Sequence, residues 1–279
     1  MTFCESSIIS PEWVNSFTSL IMSIFGIIGL YSYNNIIYIK LFYAFMICLG
    51  IGSFGYHFTY QDPWRFADVF GMVNVALISL IIYIYILITL EFKKQLNYKI
   101  KNIINNITCI LISSYIIILS IFAGIEKMEK YTYLSYVFNM LFGIFLFIII
   151  AIVLYIRFKY HNFVCNFIIE TEKQGSYINQ HILNNYAIIG VSMLIIAVIC
   201  LLITENLCKT NPDIAYFPGH GLWHTCLGFG SYYLSIYSTS LLYYINNNKY
   251  ILYTNKWYNK IVPIIELVDH KSDENIMLI

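Results

Sequence analysis

Seven stretches of about 20 apolar residues, almost free of formal charge, recur along this chain of 279 residues. That is the length a helix needs to cross the hydrocarbon of a bilayer, at about 1.5 Å of rise per residue. The stretches cover residues 15–36, 41–59, 67–90, 107–125, 132–156, 185–204 and 222–245. Many are rich in Ile, which in water would favour strands. In lipid the backbone must satisfy its own hydrogen bonds, so the same runs are expected to be helices. Short loops join them, so the expected fold is an all-α seven-transmembrane bundle over residues 1–246, followed by a tail, 247–279. Composition agrees: charged residues make up 11% of the chain, against about 25% in soluble domains. That excludes a disordered chain, a basic nucleic-acid-binding domain and a soluble enzyme. The net charge of +1 points to no electrostatic partner, nucleic acid or protein.

The few basic residues set the orientation. With the N-terminus outside, 12 of the 16 Lys and Arg fall on the cytosolic side; only Arg65, Lys127, Lys130 and Lys209 face the other way. This predicts a lumenal N-terminus and a cytosolic C-terminus. No Lys or Arg precedes the first span, which therefore reads as a retained signal anchor and not as a cleaved signal peptide. The loop 159–183 and the tail are expected to be cytosolic and poorly ordered.

Ionisable groups are costly inside a membrane and mark functional candidates. Ser53 and His57 lie four residues apart at the end of the second span, and Asp68 opens the third. His220 and His224, also four apart, open the seventh. Four-residue spacing puts two side chains on one helix face. The predicted topology brings all five residues to the lumenal end of the bundle. The chain has six His in total, and the remaining three, His161, His181 and His270, fall in cytosolic segments. Three imidazoles plus an open position form the pattern of a catalytic zinc site. There Asp68 would serve as general base and then acid, and Ser53 would hydrogen-bond a developing oxyanion. The alternative roles are an N-cap for Asp68 and back-bonding to its own helix for Ser53. Metal-assisted hydrolysis of a carbonyl at membrane depth implies a lipid substrate.

These residues resemble the alkaline ceramidases, a family of seven-span hydrolases. The family's G-x-G-S-x-x-F-H-x-T is similar to Gly50-Ile51-Gly52-Ser53-Phe54-Gly55-Tyr56-His57-Phe58-Thr59, and Asp68 follows His57 at the family's interval of eleven. Its H-A-x-W-H-x-x-x-G-x-G-x-Y resembles His220-Gly221-Leu222-Trp223-His224 with Gly228, Gly230 and Tyr232. The N-terminal C-E…E-x-x-N resembles Cys4-Glu5 and Glu12 to Asn15, and D-N-x-x-C resembles Glu205-Asn206-Leu207-Cys208. The sequence departs from the family at Arg65, where Gln is usual, and at Val69 and Gly71, where Glu and Pro are usual.

The resemblance implies zinc on His57, His220 and His224, assisted by Ser53 and Asp68. It implies cleavage of the amide of ceramide, or of dihydro- or phytoceramide, to a sphingoid base and a fatty acid, in the endoplasmic reticulum or Golgi membrane. It further implies a calcium ion near the N-terminus, for which Glu5 and Glu12 match while Ser7 and Thr2 replace an Asn and an Asp. Plain solvated charge is the other reading of these two carboxylates. Of seven Cys, Cys4 and Cys208 alone fall in lumenal segments, and the family positions favour a disulfide between them over two free thiols. Two other functions share parts of this pattern. A receptor of the adiponectin/progestin type carries a similar residue set with the opposite orientation, and a hydrolase of glycerolipids or lipid anchors would share the chemistry.

Overall fold

In a computed structural model, residues 12–32, 36–92, 106, 131–173, 180–208, 210–211, 218–245, 250–253 and 263–267 are described. Six long helices carry the bundle. They are α1 (Trp13–Ser32), α2 (Ile37–Thr59), α3 (Asp62–Glu91), α4 (Tyr131–Lys173), α5 (Gln180–Cys208) and α6 (Gly219–Ile245). Five of them, α1 to α5, are long and apolar enough to cross a membrane. The predicted stretch 107–125 lies outside the described residues. The other six predicted stretches each coincide with a helix.

α6 is less apolar than the other five, yet it is buried without interruption from Tyr232 to Tyr243. Its hydroxyls explain how. Ser235, Ser238, Thr239 and Ser240 donate to the carbonyls of Tyr232, Ser235, Ser235 and Ile236 in the preceding turn. Side chains satisfied by their own helix cost little to bury. α6 packs on α1 and α5 and touches α3, so protein covers the face that lipid covers elsewhere. Around it α1 packs on α2, α2 on α3 and α3 on α4.

Two expectations need correction. The loop 159–183 is largely helical: α4 runs on to Lys173 and α5 begins at Gln180. Residues 159–173 contain no Gly or Pro, so nothing stops the helix where the apolar run ends. The tail, expected to be poorly ordered, contains an antiparallel ribbon in which β1 (Tyr250–Tyr253) pairs with β2 (Ile264–Leu267). The Tyr232 hydroxyl of α6 donates to the carbonyl of the buried Pro263 at 2.7 Å, tying the ribbon to the bundle.

The turn between α2 and α3 positions the site. Only Tyr60 and Gln61 separate the helices, and Tyr60 takes a left-handed conformation with φ 57°. Its N–H donates to the Tyr56 carbonyl at 2.7 Å and closes α2. A link this short forces the chain straight back, so the end of α2 faces the start of α3. Gly52 lets the two backbones meet. A Cβ there would lie 2.8 Å from the carbonyl carbon of Ala67 and 2.9 Å from the Asp68 nitrogen.

Gly52→Ala is therefore expected to destabilise the bundle by about 1–3 kcal/mol, the usual cost of overpacking. Gly143→Ala serves as the control, since a Cβ at Gly143 meets nothing within 4 Å. Thermal melts of the two variants side by side would show a lower midpoint for the first only.

Candidate metal centre

α2 delivers Ser53 and His57 one turn apart, α3 delivers Asp68 in its second turn, and α6 delivers His220 and His224 in its first two turns. All five side chains are buried, Ser53 and His57 completely. α6 starts where it does because Pro218 cannot continue a chain of N–H donors backwards. Its carbonyl instead accepts from Leu222 N–H at 2.8 Å and opens the first turn. That turn sets His220 and His224 above one another, with ring centroids 4.8 Å apart and planes 25° from parallel. The His57 ring stands nearly perpendicular to both, at 4.8 and 5.1 Å.

One ring nitrogen from each His lies within 4.8 Å of the other two. The Nε2 atoms of His57 and His224 are 3.2 Å apart. Two nitrogens at about 2.0–2.1 Å from a tetrahedral zinc would sit about 3.3 Å apart. The separation, the burial and the imidazole chemistry thus fit a metal ion bound by three His. Beside them, Ser53 Oγ and Asp68 Oδ1 are buried and make no hydrogen bond among the described residues. Asp68 is close enough to His57 and Ser53 to interact with both. A buried acceptor and a buried donor left open next to three convergent ligands provide what a hydrolytic reaction requires.

Glu12 is where the structure adds most to the sequence reading. It immediately precedes α1 and is turned inward, with only 3% of its surface exposed. Its Oε2 contacts His57 Nδ1 at 2.5 Å and also accepts from Asn15 Nδ2 at 2.7 Å. The Glu12 N–H donates to the His57 carbonyl at 3.2 Å, which satisfies one of the last carbonyls of α2. Burial raises the carboxyl's pKa, but the hydrogen bonds with His57 and Asn15 oppose it and Glu12 lies below its ordinary value. A carboxylate on Nδ1 fixes the tautomer that leaves Nε2 free as a metal ligand.

As a calcium ligand Glu12 could offer only Oε1, which is buried and without a hydrogen-bond partner. Glu5 lies outside the described residues. Calcium requires six to eight oxygens; among the described residues the group of His, Cys, Asp or Glu side chains placed to hold a metal is His57, His220 and His224. The sequence signal for the Glu12–His57 contact was the predicted topology, which brings the start of the first span beside the end of the second. Cys208, at the end of α5, is buried and disulfide-bonded, while Cys48, Cys200 and Cys226 are free. Cys4 lies outside the described residues.

The sequence profile of the ceramidases matches residues 1–266. The chain belongs to the ceramidase family. Membership supports hydrolysis of ceramide, an amidohydrolase reaction on a lipid, by an integral membrane protein. It favours this reading over the receptor and glycerolipid alternatives. No curated protein matches the chain.

Removing the Glu12–His57 contact should weaken metal binding and turnover by about 10–100-fold, as loss of a carboxylate behind a ligating imidazole generally does. Zinc titration of Glu12→Gln against the wild type checks this. Unchanged affinity would reduce Glu12 to a packing residue.

Proposed function

We propose that the chain is an intramembrane zinc-dependent ceramidase, cleaving ceramide or its dihydro or phyto forms to a sphingoid base and a free fatty acid. One observation carries the reading: three buried imidazoles from two helices converge beside an open carboxylate and an open hydroxyl. Zinc on His57, His220 and His224 would acidify a water molecule to a pKa of about 7 and polarise the amide carbonyl.

The protein's own groups do the rest. Asp68 takes a proton from the attacking water at Oδ1 and returns it to the leaving amine nitrogen, so that the C–N bond breaks to a neutral amine. Ser53 Oγ donates to the carbonyl oxygen as negative charge develops there. Glu12 holds the His57 ring in place through Nδ1. The alkyl chains would follow a narrow, largely apolar cleft whose walls include Leu49, Met72 and Leu227. Leu49 is one turn from Ser53, Met72 one turn from Asp68 and Leu227 three residues past His224. The cavity therefore starts a helical turn below the reacting groups, where a lipid amide would leave its tails.

Around this core the proposal includes seven spans over residues 1–246 with a lumenal N-terminus, a cytosolic tail from 247, and residence in the endoplasmic reticulum or Golgi. The charge distribution supports the orientation. It also includes a Cys4–Cys208 bond, supported by the disulfide-bonded state of Cys208. Calcium near Glu5 and Glu12 enters only as a ligand for the N-terminal segment, and no step depends on it.

His220→Ala is expected to lose zinc and hydrolysis of a labelled ceramide while still inserting into membranes. Asp68→Asn should keep its zinc yet lose turnover by at least about 100-fold. Metal analysis and turnover measured on the same preparations separate the two outcomes. A metal-free His220→Ala protein with full activity would refute the mechanism.

A further inference from the structure

The first turn of α1 aims one carboxylate. Glu12 immediately precedes the helix, and its backbone is held on both sides. Its N–H donates to the His57 carbonyl at 3.2 Å, and its carbonyl accepts from the N–H and the hydroxyl of Ser16, each at 2.9 Å. These bonds fix where the side chain starts but not where it points. A carboxylate at a helix start has solvent within reach, and burying it is costly unless donors meet it inside. Asn15 is such a donor. It stands three residues on, in the first turn of α1, so the two side chains share a face. Its Nδ2 donates to Glu12 Oε2 at 2.7 Å, and both residues are buried.

The oxygen that Asn15 meets is the same one that meets His57 Nδ1. One carboxylate oxygen therefore takes two donors, one from its own helix and one from α2. The other buried polar groups nearby on α1 behave differently. The hydroxyls of Ser16 and Ser19 donate to the carbonyls of Glu12 and Ser16, one turn back. Asn15 instead directs a donor to a side chain. An amide N–H on Oε2 stabilises the ionised carboxylate, and an ionised Glu12 stabilises His57 with its proton on Nδ1. That tautomer turns the Nε2 lone pair towards His224, whose Nε2 is 3.2 Å away. The same turn of α1 presses on α6 between the other two imidazoles: a Cβ on Gly221 would lie 2.9 Å from Val14 Cγ1. The first turn of α1 thus touches both helices that carry the His residues.

We propose that Asn15 is a positioning residue for the metal centre, which sets Glu12 Oε2 against His57 Nδ1 and so orients the ring that ligates the ion. Its action passes through Glu12, and the role rests on the reading of the three His as a zinc site.

The test measures zinc affinity by chelator competition on the full-length protein in nanodiscs. Asn15→Leu nearly keeps the volume of Asn and removes the donor; Asn15→Ala removes both. Affinity is expected to fall by about 3–10-fold, and alike, in the two variants, less than in Glu12→Gln because the carboxylate remains. In the Glu12→Gln background, Asn15→Leu should change affinity by less than about twofold, since the partner it acts through is already gone. Ser19→Ala is the control. It removes a hydroxyl from the same buried face that also reaches the Gly50 carbonyl of α2 at 3.4 Å, and affinity should not change. Wild-type affinity in Asn15→Leu would overturn the proposal. So would an equal loss with and without Glu12, or a loss in Ser19→Ala as large as in Asn15→Leu, since either makes Asn15 a packing residue. A wild type that takes up no zinc would overturn the zinc reading and this role together, whereas a zinc-loaded wild type matched by Asn15→Leu would overturn this role alone.

Discussion

The hydrogen bond between Glu12 and His57 is the interaction on which the site's geometry depends. A carboxylate and an imidazole buried together at the end of an apolar bundle would each be costly alone. Paired, they satisfy one another, and the backbone bond between the same two residues fastens the start of α1 to the end of α2. The pairing also polarises the ring. With Nδ1 committed to Glu12, the lone pair of Nε2 points towards His224, 3.2 Å away. One contact therefore closes a helix end, holds two helices in register and selects the tautomer a metal ligand needs.

Close approach of helices follows the same logic. Lipid offers no hydrophobic drive for helices to associate, so contact depends on packing and on polar bonds between them. At the α1–α2 interface Ser23 Oγ donates to the Ile47 carbonyl at 2.9 Å, and a Cβ on Gly50 would lie 2.3 Å from that same Oγ. At the α2–α3 interface Gly52 meets Ala67 and Asp68. Gly50, Gly52 and Ser53 thus occupy one short segment for different reasons. The glycines let neighbouring backbones in, and the serine is left facing the space they frame.

Much of this was legible in the sequence. The apolar runs located six helices. Four-residue spacing paired Ser53 with His57 and His220 with His224, and the order of the spans brought both pairs and Asp68 to one end. Each of those inferences rests on a periodic or compositional signal that survives without coordinates. What escaped has physical reasons. The Glu12–His57 contact escaped because a carboxylate outside a span has no periodic partner to reveal where it turns. The continuation of α4 to Lys173 was missed because polarity was taken as a helix end, whereas polarity marks only the end of the membrane. The tail ribbon depends on Tyr232 and Pro263, residues separated by 31 positions, and no local pattern couples them.

The unsatisfied atoms divide the molecule more sharply than its hydrophobicity does. Ser53 Oγ, Asp68 Oδ1 and His224 Nδ1 cluster at one end, and Arg157 Nε with the Tyr237 hydroxyl at the other. The buried hydroxyls of Ser235, Ser238, Thr239 and Ser240 on α6 are instead each satisfied by their own helix. A fold selected for stability alone would satisfy or remove such atoms, because an open polar group in an apolar interior costs about 1–3 kcal/mol. The open atoms beside the three imidazoles are those a site that receives a polar group would keep. The end with imidazoles and a carboxylate can move protons.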